Sequence, residues 1–339
     1  MGNVMPPEWA PQDRIWMAFP APGYSLGESE EEAAEARTAW AAVAGACVEF
    51  EPVTVVVDPS EVASARALLD PRIELVEAPL NDAWMRDMGP TFVHTESGDV
   101  AGVDWVFNGW GAASWARWDL DERIGVFVAE AAGVPVVDSP MINEGGGIHV
   151  DGEGTVLVTE TVQLGEGRNE TWTKAEVEAE LGRTIGATDV VWLPRGLTRD
   201  YETYGTRGHV DIVATFTAPG QVLLHWQDDP EHPDYEVSRE LEAILAERFE
   251  VTRLPAPATL RDGADQEGGW VDWSYVNHLV VNGGVIACSF DDAHDAAAVA
   301  ILERAYPGRR VVTVDARPIF DRGGGIHCIT QQQPSPAPV

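Results

Sequence analysis

The fold is indicated by a hexapeptide that occurs twice, as Gly145-Gly146-Gly147-Ile148-His149-Val150 and as Gly323-Gly324-Gly325-Ile326-His327-Cys328, with five identical residues. A weaker copy is Gly283-Gly284-Val285-Ile286-Ala287-Cys288. Each copy is typical of a glycine turn that leads into a strand, because glycine adopts backbone conformations that other residues avoid. A unit that recurs in this way predicts a pseudo-symmetric fold, in which equivalent strand ends converge and their loops form a shared site.

Helical and extended patterns alternate along the chain, which predicts an α/β fold rather than an all-α or all-β one. Helical spacing marks residues 31–49, 60–69, 121–132, 173–186, 234–247 and 292–305. Extended patterns mark residues 53–57, 73–76, 134–137, 190–193, 209–216, 221–226, 250–254, 279–281, 284–289 and 310–314. Thr173, with Glu176 three residues later, predicts a capping box at the start of one helix.

No low-complexity linker divides the 339 residues, so we expect one domain, residues 1–333, followed by a short flexible tail, residues 334–339, that is rich in proline. Hydrophobic residues make up 45% of the chain and charged residues 23%, as in globular proteins. The first residues have neither the basic nor the apolar segment of a signal peptide, and no apolar run approaches the roughly 18 residues of a membrane helix. We therefore expect a cytoplasmic protein without a membrane partner.

The net charge of −34 bears on the partners of the protein. Nucleic acids and anionic membranes bind to clustered Lys and Arg, so this acidic chain disfavours both. The charge favours a small cationic ligand, although most of the carboxylates fit a solvated surface equally well. The three cysteines, Cys47, Cys288 and Cys328, are too widely spaced for a disulfide framework or for a CxxC metal site.

Cys328 is the candidate nucleophile. It follows the second glycine run at the start of a short strand, where a side chain can face a cleft that a ligand approaches closely. The alternative is a buried structural thiol, which is what most free cysteines are. Cys47 lies in an alanine-rich helical stretch and Cys288 in an apolar strand, and both patterns are typical of structural cysteines.

His209 is the candidate proton donor and base for such a thiol, which needs help to ionise and a proton for its leaving group. In the strand expected over residues 209–216, His209 and Asp211 point to one face because side chains alternate along a strand. A satisfied strand histidine beside a solvated aspartate fits the same pattern.

Two more acids stand beside distinctive sequences. Asp87 lies between two strand patterns next to Arg86, which indicates a partly buried carboxylate, a turn cap or a local ion pair. Glu144 precedes the first glycine run, and its alternative is an exposed loop acid.

One Cys, one His and three acids suffice for chemistry on a guanidine. A guanidinium is planar, carries five N–H donors and stays charged, so two carboxylates can hold it bidentately. A thiolate can then attack the central carbon while a general acid protonates the departing ammonia. This mechanism requires no metal and no organic cofactor.

At these residues the sequence resembles the agmatine deiminase family, a branch of the guanidino-modifying enzymes that also includes bacterial-type peptidylarginine deiminases. The motifs are weak singly and specific together, and they follow the family's order along nearly the whole chain. They are Trp84-Met85-Arg86-Asp87-Met88-Gly89-Pro90, Phe107-Asn108-Gly109-Trp110-Gly111, Asn143-Glu144-Gly145-Gly146, Gly208-His209-Val210-Asp211, Ser274-Tyr275-Val276-Asn277 and Gly325-Ile326-His327-Cys328-Ile329-Thr330-Gln331-Gln332.

The resemblance implies a pentein fold, which is a five-bladed, pseudo-symmetric α/β propeller of ββαβ units. It implies hydrolytic deimination of a guanidino compound, foremost agmatine, to give N-carbamoylputrescine and ammonia without a cofactor. Its partner would be a small cationic guanidine, and homo-oligomers are common in the family.

The resemblance also implies a role for each candidate residue. Cys328 would form a thiouronium intermediate, and His209 would protonate the ammonia and then activate water. Asp87 and Asp211 would clamp the guanidinium, and Glu144 would orient His209 and stabilise its charge. The substrate pocket would be lined by Trp84, Trp110 and Asn277.

Some residues depart from the family pattern. Residues 109–111 stand where peptidylarginine deiminases carry arginines for the substrate's carboxylate, which favours a substrate without one. Arg322 and Gly325 stand where the family often has Gly and Asn. Arg207 replaces a small or polar residue; if the predicted strand extends back, it shares a face with His209 and either pairs with an acid or binds an anionic end of the substrate.

Other functions fit overlapping residues. A deiminase of another guanidine, such as an arginine derivative or a guanidino acid, would use the same side chains, and so would an amidinotransferase that also needs an acceptor amine. A non-catalytic polyamine-binding protein needs only acids and tryptophans, and 13 tryptophans are present. A metal-dependent ureohydrolase needs several His and Asp ligands at short spacing, and a pair such as His209-x-Asp211 does not supply them by itself.

Overall fold

The computed structural model describes residues 2–261 and 269–337. The strands in these residues are β1 (Gln12–Ala18), β2 (Val53–Val57), β3 (Glu74–Glu77), β4 (Thr91–His94), β5 (Val100–Val106), β6 (Val136–Ile142), β7 (Ile148–Val150), β8 (Thr155–Thr159), β9 (Asp189–Leu193), β10 (Ala214–Ala218), β11 (Gln221–Trp226), β12 (Glu250–Pro255), β13 (Leu279–Val281), β14 (Gly284–Ser289), β15 (Arg310–Asp315) and β16 (Thr330–Pro334). The helices are α1 (Glu30–Cys47), α2 (Val62–Leu68), α3 (Met85–Met88), α4 (Gly109–Ala112), α5 (Ile124–Ala131), α6 (Glu160–Gln163), α7 (Lys174–Ile185), α8 (Asp234–Leu245), α9 (Asp295–Ala305) and α10 (Arg317–Phe320).

The strands of the described residues form five small sheets, in the orders β16-β1-β2-β3, β4-β5-β6, β7-β8-β9, β10-β11-β12 and β13-β14-β15. In each sheet the first two strands in this order are antiparallel and the next pair is parallel. A helix connects the parallel strands each time, and these helices are α1, α5, α7, α8 and α9. The predicted α/β class is therefore confirmed.

Capping boxes begin two of these helices. Before α7, the Thr173 side chain accepts the backbone N–H of Glu176, whose carboxylate returns to the Thr173 N–H, as the sequence predicts. Ser29 and Glu32 form the same box before α1. Each box satisfies backbone donors that the first helical turn leaves unpaired, so the local sequence determines where both helices start.

The two full copies of the hexapeptide occupy equivalent places in the fold. One leads into β7 and the other into β16, and each of these strands is the first of an antiparallel pair. The weaker copy is different, because it begins in the turn between β13 and β14 and continues along the second strand of its pair. The repeated sequence thus marks the entry to the first strand of a sheet.

The strand predicted over residues 209–216 is wrong at its start. Val210–Ile212 form a single 3-10 turn, and β10 begins only at Ala214. Just before this turn Arg207 and Gly208 have φ values of 70° and 110°, which an extended strand does not allow. The alternation of apolar and polar residues along a sequence does not show where the backbone takes a positive φ, so this turn could not be predicted from it.

The candidate residues lie just before the first strand of each sheet. Asp87 precedes β4, Glu144 precedes β7, His209 and Asp211 precede β10, Asn277 precedes β13, and Cys328 precedes β16. Hydrogen bonds join these five segments in cyclic order: Arg86 N–H to the Cys328 carbonyl (3.0 Å), Gly146 N–H to Asp87 (3.1 Å), the His209 ring to Glu144 (3.3 Å), the Asn277 amide to the Asp211 carbonyl (3.4 Å) and the same amide to Cys328 Sγ (3.2 Å). Each sheet therefore contributes to one shared place.

Near its C-terminal end the chain stays in contact with the rest of the molecule. Pro334 is the last residue of β16, and the N–H groups of Ser335 and Ala337 donate to the carbonyls of Pro11 and Gly98 at 2.9 Å. The predicted change from domain to tail at residue 334 stays a prediction, and residues 338 and 339 lie outside the described part. Among the described residues, no helix is long and apolar enough to cross a membrane.

Closure of the first sheet by β16 can be tested at a buried hydrogen bond. The Trp16 Nε1–H donates to Gln333 Oε1 at 2.8 Å across the β1–β16 pair. We expect Gln333→Leu to lower the free energy of unfolding by about 1–3 kcal/mol in urea titrations, because the buried N–H loses its acceptor. In a Trp16→Phe background the same change should cost much less, and an equal cost in both backgrounds would contradict the coupling.

Candidate active site

Cys328 lies two residues before β16 and its side chain is buried. Its sulfur accepts from Asn277 Nδ2 at 3.2 Å, and its S–H faces Asp211 Oδ2 at 3.6 Å. Burial, together with the negative charges of Asp211 and Asp87, raises the pKa of the thiol well above its ordinary value. The thiol is therefore neutral at pH 7 unless a cation arrives between it and the two carboxylates.

The carboxylates of Asp87 and Asp211 both lie close enough to Cys328 to act on its thiol. Asp87 accepts from the Trp110 indole N–H at 2.8 Å and from the Gly146 N–H at 3.1 Å. Burial raises the pKa of Asp87 to about 6, although the charge of His209 acts in the opposite direction. Asp211 Oδ2 accepts from Nδ1 of the His327 ring at 2.8 Å, whereas its Oδ1 is buried with no partner among the described residues. That oxygen is a free acceptor for a bound donor.

His209 has its two ring nitrogens in different surroundings. Nε2 lies 3.3 Å from Glu144, and Nδ1 lies 3.8 Å from Asp87 and is buried without a hydrogen bond among the described residues. Burial alone would lower the pKa of His209, but the carboxylates of Asp87, Glu144 and Asp211 outweigh it and raise the pKa to about 9. His209 is thus an imidazolium at neutral pH, with an Nδ1–H that has no partner among the described residues and lies near Asp87.

Glu144 is held by a second cation. The Arg168 Nε lies 3.0 Å from both of its oxygens, and both side chains are fully buried. Burial would raise the pKa of Glu144, but Arg168 and His209 together lower it to about 2. The carboxylate therefore stays ionised and keeps the ring of His209 charged and oriented.

Asp200 explains how the chain presents His209 from a turn rather than from a strand. Its carboxylate accepts the backbone N–H groups of Thr206 (2.7 Å), Gly208 (2.6 Å) and His209 (3.1 Å). Three donors on one buried acid bend the backbone sharply, so the strand argument for one shared face is wrong even though His209 and Asp211 do meet at the same place. Asp200 could not be predicted from the sequence, because the backbone N–H groups that it accepts come together only in the folded turn.

Gly146 forms the floor on which the polar side chains meet. A Cβ atom at this position would lie 2.5 Å from His209 Nδ1, 3.0 Å from Asp211 Oδ2 and 3.0 Å from Asp87 Oδ1. Only glycine leaves room for three side chains to approach one backbone atom so closely. The glycine run that marks the repeat is thus also a requirement of the site.

Aromatic side chains form the walls. Trp110 sits in α4, whose four residues all have positive φ, and it stacks on Trp115 with ring centroids 5.2 Å apart. The cavity over the thiol holds only about 10 Å³, and its lining residues are Trp84, Asp87, Trp110, Trp115, Tyr204, Thr206, Arg322, Gly323 and Cys328. Trp115 and Tyr204 have no motif that predicts their place in this lining. A volume near that of one water means that side chains must move before a larger ligand can enter.

Arg207 lies outside the described lining of this cavity. Its guanidinium donates to the carbonyl of Glu166 at 2.7 Å and lies 3.9 Å from the carboxylate of the same residue. The sequence left two roles open for Arg207, pairing with an acid and binding an anionic end of the substrate. The contact with Glu166 favours the first. The participation of Arg207 in substrate binding stays a prediction.

No group of three or more His, Cys, Asp or Glu side chains in the described residues could hold a metal ion.

A family model of the Porphyromonas-type peptidyl-arginine deiminases matches residues 4–334 of the chain. The chain belongs to this family. It is 56% identical to a Streptomyces coelicolor protein that is named provisionally as an agmatine deiminase, over 97% of this chain and 98% of that protein. It is also 42% identical to the agmatine deiminase of Pseudomonas savastanoi pv. phaseolicola, over 99% of this chain and 96% of that protein.

Solved structures of the family share the fold. The agmatine deiminase of Enterococcus faecalis is 33% identical to the chain, with a TM-score of 0.91 over 99% of this chain and 97% of that one. A Campylobacter jejuni agmatine deiminase with substrate bound, 22% identical, has a TM-score of 0.88 over 100% of this chain and 98% of that one. At that lower identity the likeness concerns the fold alone.

The role of Gly146 leads to a test of the site geometry. We expect Gly146→Ala to lower kcat/KM for ammonia release from a guanidine by about 100-fold or more, because the new Cβ displaces the three side chains from their reacting positions. Gly45→Ala is the matched control. Gly45 lies in α1 with no atom within 4 Å of an added Cβ, so this change should keep activity and stabilise the helix by about 1 kcal/mol. Similar activity in both variants would rule out the proposed crowding at Gly146.

Proposed function

We propose that this protein is an agmatine deiminase, a hydrolase that breaks a C–N bond of a linear amidine and releases ammonia. The observation that carries the proposal is the convergence of a charged imidazole and two carboxylates over Gly146, with the thiol of Cys328 3.6 Å from one of these carboxylates, in a member of this family. The relatives named as agmatine deiminases support the substrate. Residues 109–111 add to this, because a tryptophan in a glycine turn offers no cation for a carboxylate on the substrate.

The guanidinium would bind between Asp87 and Asp211. The unpartnered Oδ1 of Asp211 supports this, because a buried acceptor without a donor is costly and a guanidinium N–H satisfies it. The bound cation also offsets the two charges that raise the pKa of Cys328. Binding would therefore release the thiol proton and place a thiolate beside the central carbon of the substrate.

The first chemical step would form a C–S bond. The thiolate attacks the guanidinium carbon and gives a tetrahedral adduct, and His209 donates its Nδ1 proton to one nitrogen of this adduct. The C–N bond then breaks, ammonia leaves, and a thiouronium remains on Cys328 while the His209 ring becomes neutral. Glu144 would keep the ring aligned through Nε2 during this change.

The second step would return the enzyme to its starting state. Water enters where ammonia left, and Nδ1 of His209 takes one of its protons as the oxygen bonds to the thiouronium carbon. The remaining O–H proton of this adduct then leaves as the C=O forms and the C–S bond breaks, and it passes to the departing sulfur, which restores the neutral thiol and gives N-carbamoylputrescine. One water is consumed and one ammonia released per guanidinium, and no oxidant or reductant is needed.

We also propose that the five sheets are the blades of a five-bladed α/β propeller of the pentein type. Five repeats of one strand pattern support this arrangement, and so do the hydrogen bonds that join the five site segments in cyclic order. In such a propeller the reacting groups lie on the pseudo-symmetry axis, and every blade provides one of them.

The deciding experiment is ammonia release from agmatine, free arginine, a peptide with a terminal arginine and a guanidino acid. We expect release from agmatine in the wild type and its loss, by about 1,000-fold or more, in Cys328→Ala, because the nucleophile is gone. Cys47→Ala is the matched control, since Cys47 is an equally buried thiol at the end of α1. Ammonia release from a carboxylated guanidine instead of agmatine would support the deiminase chemistry but overturn agmatine as the substrate. Turnover only with an added amine would point to an amidinotransferase, and no release at all would refute the proposal.

The pH dependence of kcat/KM should be bell-shaped. Asp87, with a pKa of about 6, must be ionised to bind the guanidinium, so the rate falls as the pH drops through about 6. His209, with a pKa of about 9, must be protonated to assist the departure of ammonia, so the rate falls again as the pH rises through about 9. Glu144→Gln removes a charge that raises the pKa of His209, so the alkaline limb should move to lower pH. An alkaline limb that is unchanged in this variant would argue against His209 as the proton donor.

A further inference from the structure

His327, the residue just before the nucleophile, lies between two carboxylates. Its Nδ1 is 2.8 Å from Asp211 Oδ2 and its Nε2 is 2.6 Å from Glu8 Oε1. All three side chains are buried, with 2–4% of each residue exposed. Ionised carboxylates only accept hydrogen bonds, so a ring that meets one at each nitrogen must carry a proton on both and be an imidazolium.

The charges around this ring are balanced. Arg86 Nη1 lies 3.6 Å from Glu8, so Glu8 and Asp211 face two cations, His327 and Arg86. Two further histidines lie beside the same group: His149 Nε2 is 3.8 Å from Glu8, and burial lowers the pKa of His278 although the charge of Glu8 acts in the opposite direction. Removing the charge of Glu8 leaves two cations against one buried anion, which the interior does not tolerate without a change of protonation.

The consequence reaches the substrate through Asp211. Its Oδ2 is bonded to His327 and lies 3.6 Å from the thiol of Cys328, which leaves Oδ1 without a partner among the described residues and free to accept a guanidinium N–H. The backbone of His327 fixes the thiol as well, because its N–H donates to Asn277 Oδ1 at 2.9 Å and its carbonyl accepts from Arg86 Nε at 3.3 Å. His327 thus positions Asp211 through its ring and Cys328 through its backbone.

We propose that Glu8 and His327 are positioning residues for guanidinium binding: the Glu8 carboxylate keeps His327 charged, and the charged ring holds Asp211 ionised and in one orientation. The inference rests on the proposed function, since it assigns the pair to the clamp of that same site. Glu8 comes from the segment before β1, which the sequence analysis did not connect with the site, and it reaches a partner 319 residues away along the chain.

The test is the pH dependence of KM for agmatine in Glu8→Gln. This change keeps the size of the side chain and removes its charge, so the pKa of His327 falls and the ring loses its proton more readily at pH 8 than at pH 6. We expect KM to rise by about tenfold at pH 8 and by much less at pH 6, with a smaller change in kcat. A packing defect alone would raise KM equally at both pH values.

Glu61→Gln is the matched control. Glu61 is also a buried glutamate with a cation partner, Arg37 at 2.8 Å, but it lies between α1 and α2 outside the described site. This variant should keep the KM of the wild type at both pH values. A KM in Glu8→Gln that matches this control at pH 8 would overturn the proposal.

A double variant tests whether Glu8 and His327 act as a unit. His327→Gln should raise KM at pH 8, and addition of Glu8→Gln to it should change KM by less than about twofold, because the charge that Glu8 supports is already gone. Independent, multiplying effects would overturn the coupling. If the wild type releases no ammonia from any guanidine, the proposed function itself fails, and that outcome is distinct from an active enzyme whose Glu8 variant is normal.

The wild type offers a readout that does not depend on folding of the variants. In nitrogen NMR of protein labelled at its eight histidines, we expect two rings, those of His209 and His327, to be doubly protonated at pH 8. Fewer than two such rings would contradict the imidazolium between Glu8 and Asp211.

Discussion

Buried charges must be neutralised by their neighbours, and the site of this protein is constructed around that constraint. One set consists of Asp87, Glu144, His209 and Arg168, and a second consists of Glu8, Asp211, His327 and Arg86. Each set contains two anions and two cations, and each would contribute one arm of the proposed guanidinium clamp. A guanidinium and a thiolate would add one charge of each sign, so the whole cavity would stay neutral during binding.

The fold satisfies this constraint by supplying the charges from different sheets. The members of each set come from segments that are far apart in the chain, and they meet because the first strands of the sheets begin at one place. The glycine run before β7 is needed for the same reason, because a side chain at Gly146 would occupy the space in which the acids and the imidazole meet. Repetition of one strand pattern thus provides several equivalent positions, and different residue types at these positions provide the chemistry.

Much of the local structure can be predicted from the sequence. The apolar runs at 221–226, 279–281 and 284–289 match β11, β13 and β14 because short-range patterns are enough to define them. The short strand expected to start at Cys328 starts instead at Thr330, and its extent could not be predicted, since Gln331, Gln332 and Gln333 are buried by hydrogen bonding and packing rather than by hydrophobicity. Such a strand is defined by partners that come from the opposite end of the chain.

The same distinction separates the site residues that were expected from those that were missed. Cys328, His209, Asp87, Asp211 and Glu144 stand in recognisable motifs, and the structure brings all five together. Glu8 and Arg168 have no local pattern, and only their distances to His327 and Glu144 reveal their importance. The turn at His209 was missed because it is defined by Asp200, a carboxylate that accepts backbone donors and leaves no periodic signal.

Pairing of β1 with β16 has a consequence for the kinetics of folding. The strand that follows the nucleophile joins a sheet whose other members lie before residue 78, so this contact closes a loop of more than 300 residues, as between Met17 and Thr330. Contacts of such high order form slowly, because the entropy of loop closure must be overcome before the contact stabilises the chain. The middle sheets consist of strands that are neighbours in the chain, so their pairing closes much shorter loops. The strand that anchors the segment of Cys328 therefore carries the largest entropic cost of loop closure among the five sheets.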